Sequence, residues 1–264
     1  VGHAGTLDPL ASGVLVVCVG AATRLIEYVQ RMPKTYRTVV RLGARSDTDD
    51  AEGEVVVADS PRVPSPVELR AAAGDLVGTI AQRPPEFSAI KVAGRRSYDL
   101  ARAGKAVELQ ARPVTVYRLD VLSYDWPRAE LEVECAGGTY IRSLARDLGD
   151  ALGCGGLVEV LVRTGIGPFT LDNAIDLESL DPARLAASLR PPVDALGAMP
   201  QVAISADEVR AILQGRPIEP VSLSDESVPA GEVALIGPDD RLVAIAEYAR
   251  STGRASPRRV LIDG

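Results

Sequence analysis

The chain has 264 residues, of which 46% are hydrophobic, enough apolar material for a sizeable core in one large or two unequal domains. No run approaches the roughly 18 apolar residues of a membrane helix, and no basic-then-apolar leader opens the chain, so a soluble cytoplasmic protein is expected; three scattered cysteines and one histidine exclude a disulfide framework and a His/Cys metal centre. The net charge of −7 argues against a nucleic-acid partner only superficially, because residues 1–150 carry 19 basic against 20 acidic groups while residues 151–250 carry 7 against 15.

Val1-Gly2-His3 begins without an initiator Met, and N-terminal residues are expected to be missing. The apolar run Gly13 to Gly20 reads as a buried strand, and Ala22 to Met32, with Leu25, Ile26 and Val29 at helical spacing, reads as a helix. Tyr36 to Leu42 alternates as a second strand. The polar stretch Ser46 to Gly53 is a loop bordering a site or turn, without the glycine and glutamate placement of a calcium-binding hand, and Glu54 to Ala58 is a strand after it. Ser65 with Glu68 three residues on forms a capping-box pattern for a helix to about Leu76.

Pro84-Pro85 forces an extended passage. Residues 113–123 and 129–135 read as paired strands, Thr139 to Leu152 as a helix, and Leu157 to Val162 as another buried strand. These elements predict an α+β domain over residues 1–190, built on a mixed, largely antiparallel sheet with flanking helices. Residues 171–199 form a bridge with a helical stretch. Short strands at Val202 to Ile204, Val233 to Ile236, Leu242 to Glu247 and Arg258 to Leu261 make residues 200–264 a small β module. Two basic stretches, residues 24–45 and 91–112, read from charge alone as solvated faces.

The stretch most charged with chemistry is Gly2-His3-Ala4-Gly5-Thr6-Leu7-Asp8-Pro9-Leu10-Ala11-Ser12-Gly13. Read from its residues, it is a glycine-rich loop with a turn at Asp8-Pro9. The same stretch resembles the signature loop of the TruB-type bacterial tRNA pseudouridine-55 synthases. The family's later blocks have counterparts in Lys34-Thr35-Tyr36-Arg37, Gly43 to Gly53, Pro85 to Gly94 and Gly138 to Gly149, the last of which holds Tyr140 and Arg142. The resemblance holds from residue 1 to about 165 and weakens afterwards, where the family carries a PUA-like RNA-binding β domain; the family's N-terminal strand and Lys-Pro element have no counterpart.

What the resemblance implies is an isomerase that needs no cofactor or metal. Breaking the bond between ribose C1′ and uracil N1, rotating the base and joining C1′ to C5 adds no outside atom, so one carboxylate suffices. Asp8 would supply it, either attacking the sugar or withdrawing its 2′ proton, with Arg142 as its charge-assisted partner. Tyr36 would stack on the uracil with its hydroxyl near the C5 proton, Tyr140 and Leu161 would line the pocket, and His3 would fill the place of the extruded base. Arg37, Asp50, Lys91 and Arg95 would be further RNA contacts. The implied partner is tRNA, through its T stem-loop, for a monomer without an obligatory protein partner. Three rivals stay open at this point: a guide-dependent relative, a non-catalytic RNA-binding protein, and a glycoside hydrolase using Asp8 and Asp50 as its two carboxylates.

Overall fold

The computed structural model describes residues 1–87, 109–220 and 228–262, together with the backbone of residues 91–92 and 95–96. By its internal contacts the chain forms two compact units. One consists of Leu7–Val14 and Pro33–Asp172, the other of Val1–Thr6, Leu15–Met32 and Asn173–Gly264. The chain thus enters the second unit three times, the last time at Asn173, ahead of the division expected near residue 190. The apolar run from Gly13 to Gly20 is accordingly not one buried strand. Ala11–Gly13 pairs in the first unit, Val17–Cys18 pairs with Gly2–His3 in the second, and Leu15, Val17 and Val19 are exposed.

The first unit is built on one sheet. Its strands are β1 (Ala11–Gly13), β2 (Lys34–Leu42), β3 (Gly78–Gln82), β4 (Arg112–Asp125), β5 (Arg128–Cys135), β6 (Gly156–Ile166) and β7 (Phe169–Thr170). They run in the order β7-β6-β2-β5-β4-β3, with β1 also on β6. Every pairing is antiparallel except β1 with β6, which makes this the mixed, largely antiparallel sheet expected. Two helices cover one face, α1 (Pro66–Asp75) and α2 (Ile141–Ala151).

Alternation sorts the side chains of the sheet. On β2, Lys34, Thr38, Val40 and Leu42 are buried with Tyr36 among them, and opposite them on β5 stand Cys135, Val133, Leu131 and Ala129. Leu69 and Ala73 of α1 and Ile141, Leu144, Ala145 and Leu148 of α2 close on this face to form the core. The opposite face carries ion pairs such as Arg37 with Glu130 and Arg128 with Glu159. The capping box at the start of α1 is present in both directions. Ser65 accepts from the Glu68 backbone N–H, and the Glu68 carboxylate accepts from the Ser65 backbone N–H at 2.8 Å.

The second unit contains a four-stranded sheet of Gln201–Ala203, Gly231–Ile236, Leu242–Ala249 and Arg254–Val260, the small β module expected, with the last strand starting earlier than its sequence suggests. Helix Ala206–Leu213, with its own Ser205/Glu208 capping box, closes a core of Val202, Ile212, Val233, Leu235 and Val243. The segment Ile26–Arg31 is held to this unit by Tyr28, whose hydroxyl donates to Glu232 at 2.7 Å. No helix among the described residues is long and apolar enough to cross a membrane.

α2 approaches β6 closely because both are glycine there. A Cβ on Gly149 would lie 2.2 Å from the Gly155 carbonyl carbon and the Gly156 nitrogen, whereas one on Gly74 in α1 meets nothing within 4 Å. The two Gly→Ala substitutions should therefore move stability in opposite directions. Gly149→Ala is expected to cost about 1–3 kcal/mol by overpacking. Gly74→Ala should gain about 0.4–1 kcal/mol by removing freedom from the unfolded chain. Urea unfolding of the two variants checks the pair, and losses of equal size would contradict the close packing of α2.

Candidate active site

Asp8 sits at a turn that the sheet itself fixes. Its backbone C=O accepts from the Ala11 N–H at 2.8 Å, and Ala11, Ser12 and Gly13 then pair in register with Leu161, Val162 and Arg163 of β6. Gly13 has φ +105°, and a Cβ there would lie 2.2 Å from the Arg163 carbonyl oxygen, so this position needs glycine on both counts. The Val14 N–H donates to that same oxygen at 2.8 Å. The loop carrying Asp8 is thereby tied to the central sheet within six residues of the carboxylate.

Arg142 lies in the first turn of α2 and is almost wholly buried. Its guanidinium donates from Nε to Asp8 Oδ2 at 2.9 Å, from Nη1 to the Thr48 C=O at 3.0 Å and from Nη2 to the Phe87 C=O at 3.1 Å. Asp50 Oδ2 lies 3.3 Å from Nη1. A cation at a helix N-terminus opposes the helix dipole, so the two carboxylates offset a local penalty as well as a desolvation cost. The Asp8 side chain remains 31% exposed beside a guanidinium that is 5% exposed. One oxygen-bearing group is thus held by a buried partner and still open to a ligand.

The acidic loop that follows β2 is a clamp. Asp50 is buried, accepts from Thr48 Oγ1 at 2.6 Å and the Glu52 N–H at 3.1 Å, and makes a β-bridge with Val158. Asp49, at φ +59°, meets Arg146 Nη1 at 2.8 Å, and Arg146 stands one helical turn after Arg142 on the same face of α2. Burial raises the Asp49 carboxyl above its ordinary value, with the Arg146 cation acting against that rise. Asp50, expected as an RNA contact, is here a buried carboxylate engaged by Arg142, Thr48 and the Glu52 N–H. The same burial removes it as the second carboxylate of a hydrolase.

Tyr36 projects from β2 into the same region, opposite Val133 on β5 and Arg163 on β6. Its hydroxyl is pushed up to about 12, chiefly by burial and next by the Cys135 thiol, against the lowering effect of Arg163; Asp8 adds a smaller upward contribution. The phenol is therefore neutral over the physiological range and works through hydrogen bonds and its ring. Leu161, opposite Thr38 and Ala11, is buried on the same face, and Tyr36 packs against the cluster that contains it.

Tyr140 is the residue before the first turn of α2. Buried Gln82 fixes it, its side-chain oxygen accepting from the Tyr140 N–H at 2.8 Å and its amide donating to the Tyr140 C=O at 3.1 Å, while the Arg112 guanidinium lies 5.7 Å from the ring centroid. Asp8, Tyr36, Tyr140, Arg142 and Leu161 thus belong to one unit. His3 is exposed in the other, on the ribbon of Gly2–His3 with Val17–Cys18.

Arg37 departs from expectation. The period of two that turns Tyr36 inward turns Arg37 to the outer face of the sheet, where Glu130 accepts from its Nε at 2.6 Å, so it is a surface ion pair and no part of this site. Lys91 and Arg95 belong to a short antiparallel pair, Lys91–Val92 with Arg95–Arg96, and their side chains lie outside the described residues, as does most of the segment from Pro85 to Gly94. Sequence reading missed Gln82, Arg146 and Arg163. For Arg163 a signal existed, since it follows Leu161 by two on a strand and so shares its inward face.

Comparison with known proteins places this geometry. Residues 1–141 match the model of the TruB family pseudouridylate synthase N-terminal domain, and residues 142–196 that of the tRNA pseudouridylate synthase B C-terminal domain. Proteins named tRNA pseudouridine synthase B are 46% identical in Ralstonia pickettii, over 93% of this chain and 78% of that protein, and 44% identical in an Arthrobacter species, over 97% and 86%. Among solved structures, a chain of a Cbf5-Nop10-Gar1 complex is similar with a TM-score of 0.75 at 25% identity, covering 99% of this chain and 76% of that one. The chain belongs to the TruB family of tRNA pseudouridine synthases, RNA-binding isomerases.

The burial of the carboxylates around Arg142 orders their contributions to stability. Asp50→Asn should destabilise by about 1–3 kcal/mol, because it leaves a buried cation short of one charge and a buried loop short of its hydrogen-bond geometry. Asp8→Asn, at a position open to solvent, should cost less. Chemical denaturation of both variants measures the order, and a larger loss for Asp8→Asn would contradict it.

Proposed function

We propose that this chain isomerises uridine 55 in the T stem-loop of tRNA to pseudouridine, with Asp8 as the carboxylate that acts on the sugar. The observation that supports this most is the Asp8 and Arg142 pair. A carboxylate a third exposed is aimed by a guanidinium that is itself locked by the Thr48 and Phe87 carbonyls and by Asp50. Whether Asp8 attacks C1′ or withdraws the 2′ proton, it must meet the ribose from a fixed direction with its charge compensated, and this arrangement provides both. In the reaction C1′–N1 breaks, C1′–C5 forms, C5 loses its proton and N1 gains one. No electron acceptor or outside atom enters.

Tyr36 offers a ring for the uracil to stack on, and Leu161 and Tyr140 border the same region. Its neutral hydroxyl acts as a hydrogen-bonding group near C5, and the base it assists is a water or a substrate oxygen. To enter, the uridine must leave its stack at a cost of a few kcal/mol, and we assign His3 the vacated place in the RNA. The protein acts on tRNA directly in the cytoplasm, as a monomer without a protein partner. The 40–47% identity to proteins named as tRNA synthases, against 25% to the Cbf5 chain, favours this over a guide-dependent enzyme.

Asparagine at position 8 keeps the size and turn preference of aspartate and removes its charge. Asp8→Asn should bind an unmodified tRNA transcript with near-parent affinity while single-turnover pseudouridine formation falls by more than the roughly 10²–10³-fold cost of losing one stabilising hydrogen bond in a preformed site. A folded Asp8→Asn protein that binds tRNA and converts uridine at more than a few per cent of the parent rate would overturn the assignment. Mapping the product by position tests the T-loop uridine separately.

A further inference from the structure

Arg163 is the least expected residue of the sheet. It lies on β6, two residues after Leu161, with its side chain turned inward and 3% of the residue exposed. An apolar residue there would continue the core at no desolvation cost, whereas a buried guanidinium must be compensated by well-placed acceptors. It also stands near a second buried cation, Lys34 of β2, whose ammonium is pushed below its ordinary value by burial first and by Arg163 second. Two cations on one buried face repel, so the position carries a cost that packing alone does not explain.

The contacts of Arg163 indicate what offsets it. Its Nε donates to the Val14 C=O at 2.8 Å, and its own backbone C=O accepts from the Val14 N–H at 2.8 Å. The guanidinium is therefore anchored to the segment that carries Asp8. It also stands directly opposite Tyr36 across the β2 and β6 pairing, where its hydrogen bonding and charge act on the Tyr36 hydroxyl against the upward push of burial. A phenol oxygen has one proton to give and lone pairs to accept with. With a guanidinium N–H on the oxygen, the hydroxyl proton must point away from Arg163.

We propose that Arg163 is a positioning residue of the reaction: clamped to Val14 and facing Tyr36 across the strand pairing, its guanidinium holds the Tyr36 hydroxyl in one orientation, with the proton directed away from Arg163. A lysine cannot replace it, because a single ammonium does not span both acceptors as a planar fork does. The inference rests on the proposed part of Tyr36 in the reaction, and the experiment separates the two.

The test is a double-mutant cycle on tRNA binding and single-turnover pseudouridine formation, using Arg163→Lys, Arg163→Gln and Tyr36→Phe alone and combined. Arg163→Lys and Arg163→Gln should each slow bound turnover by about tenfold or more with tRNA affinity near the parent's. In the Tyr36→Phe background the same changes should cost less than about threefold, since the hydroxyl they position is gone. Equal losses in both backgrounds, a parent rate in Arg163→Lys, or loss of the fold in both Arg163 variants would overturn the inference and leave Arg163 serving the sheet. A Tyr36→Phe protein with the parent rate would instead overturn the part given to Tyr36.

Discussion

One buried cation organises the first unit. Arg142 meets Asp8 from the signature loop, Thr48 and Asp50 from the acidic loop, and Phe87 from the passage after Pro84-Pro85. An unpartnered guanidinium in the interior costs several kcal/mol, so each of these segments is held in place by the cost of abandoning it. They are distant in sequence. The site is therefore assembled by electrostatic necessity on a scaffold whose stability comes from elsewhere, the apolar face between the sheet and its two helices.

That scaffold supplies accuracy through register. Because strand side chains alternate with a period of two, Tyr36, Leu161 and Arg163 are delivered to one face by the pairing of β2 with β6, and a slip of one residue would send all three outward. The parallel pairing of β1 with β6 then sets Asp8 relative to them through only three paired residues, of which the last, Gly13, closes the approach. The outer face shows the contrast. Its ion pairs, Arg37 with Glu130 and Arg128 with Glu159, have arginines more than half exposed and contribute little to stability.

What could be read from the sequence follows the same physics. The helix opened by Ser65 and Glu68 was legible because a capping box is local, and the strands of the sheet were legible because alternation is local. The pairing of Asp8 with Arg142 came from resemblance, since nothing in composition or spacing brings residues 134 positions apart together. The run Gly13 to Gly20 misled because its apolar residues serve two units, and hydropathy does not show where a chain crosses between them. The surroundings of Asp50 and Arg37 were not legible for opposite reasons: an acidic loop looks exposed until a buried cation claims it, and the strand's period turns Arg37 to the face opposite Tyr36. Gln82, whose amide holds both backbone groups of Tyr140, left no signal at all, being one polar residue at the end of an alternating strand.

The exposure of Asp8 and Arg142 is unequal, and the inequality is chemically sensible. A carboxylate that acts on a ribose must be reachable, and a reachable carboxylate in water spends its charge on solvent. Burying its partner resolves the conflict, because the guanidinium acts on Asp8 from the dry side with an orientation fixed by three other acceptors, while the opposite side of the carboxylate stays open. Tyr36 repeats the arrangement with a neutral group. Its ring packs against the core, its hydroxyl is kept protonated by burial, and the cation that contacts it is anchored on the side away from solvent. Under the proposed function, the group assigned to the substrate is in both cases supported by a buried arginine, so movement at the entrance need not reach the atoms that do the chemistry.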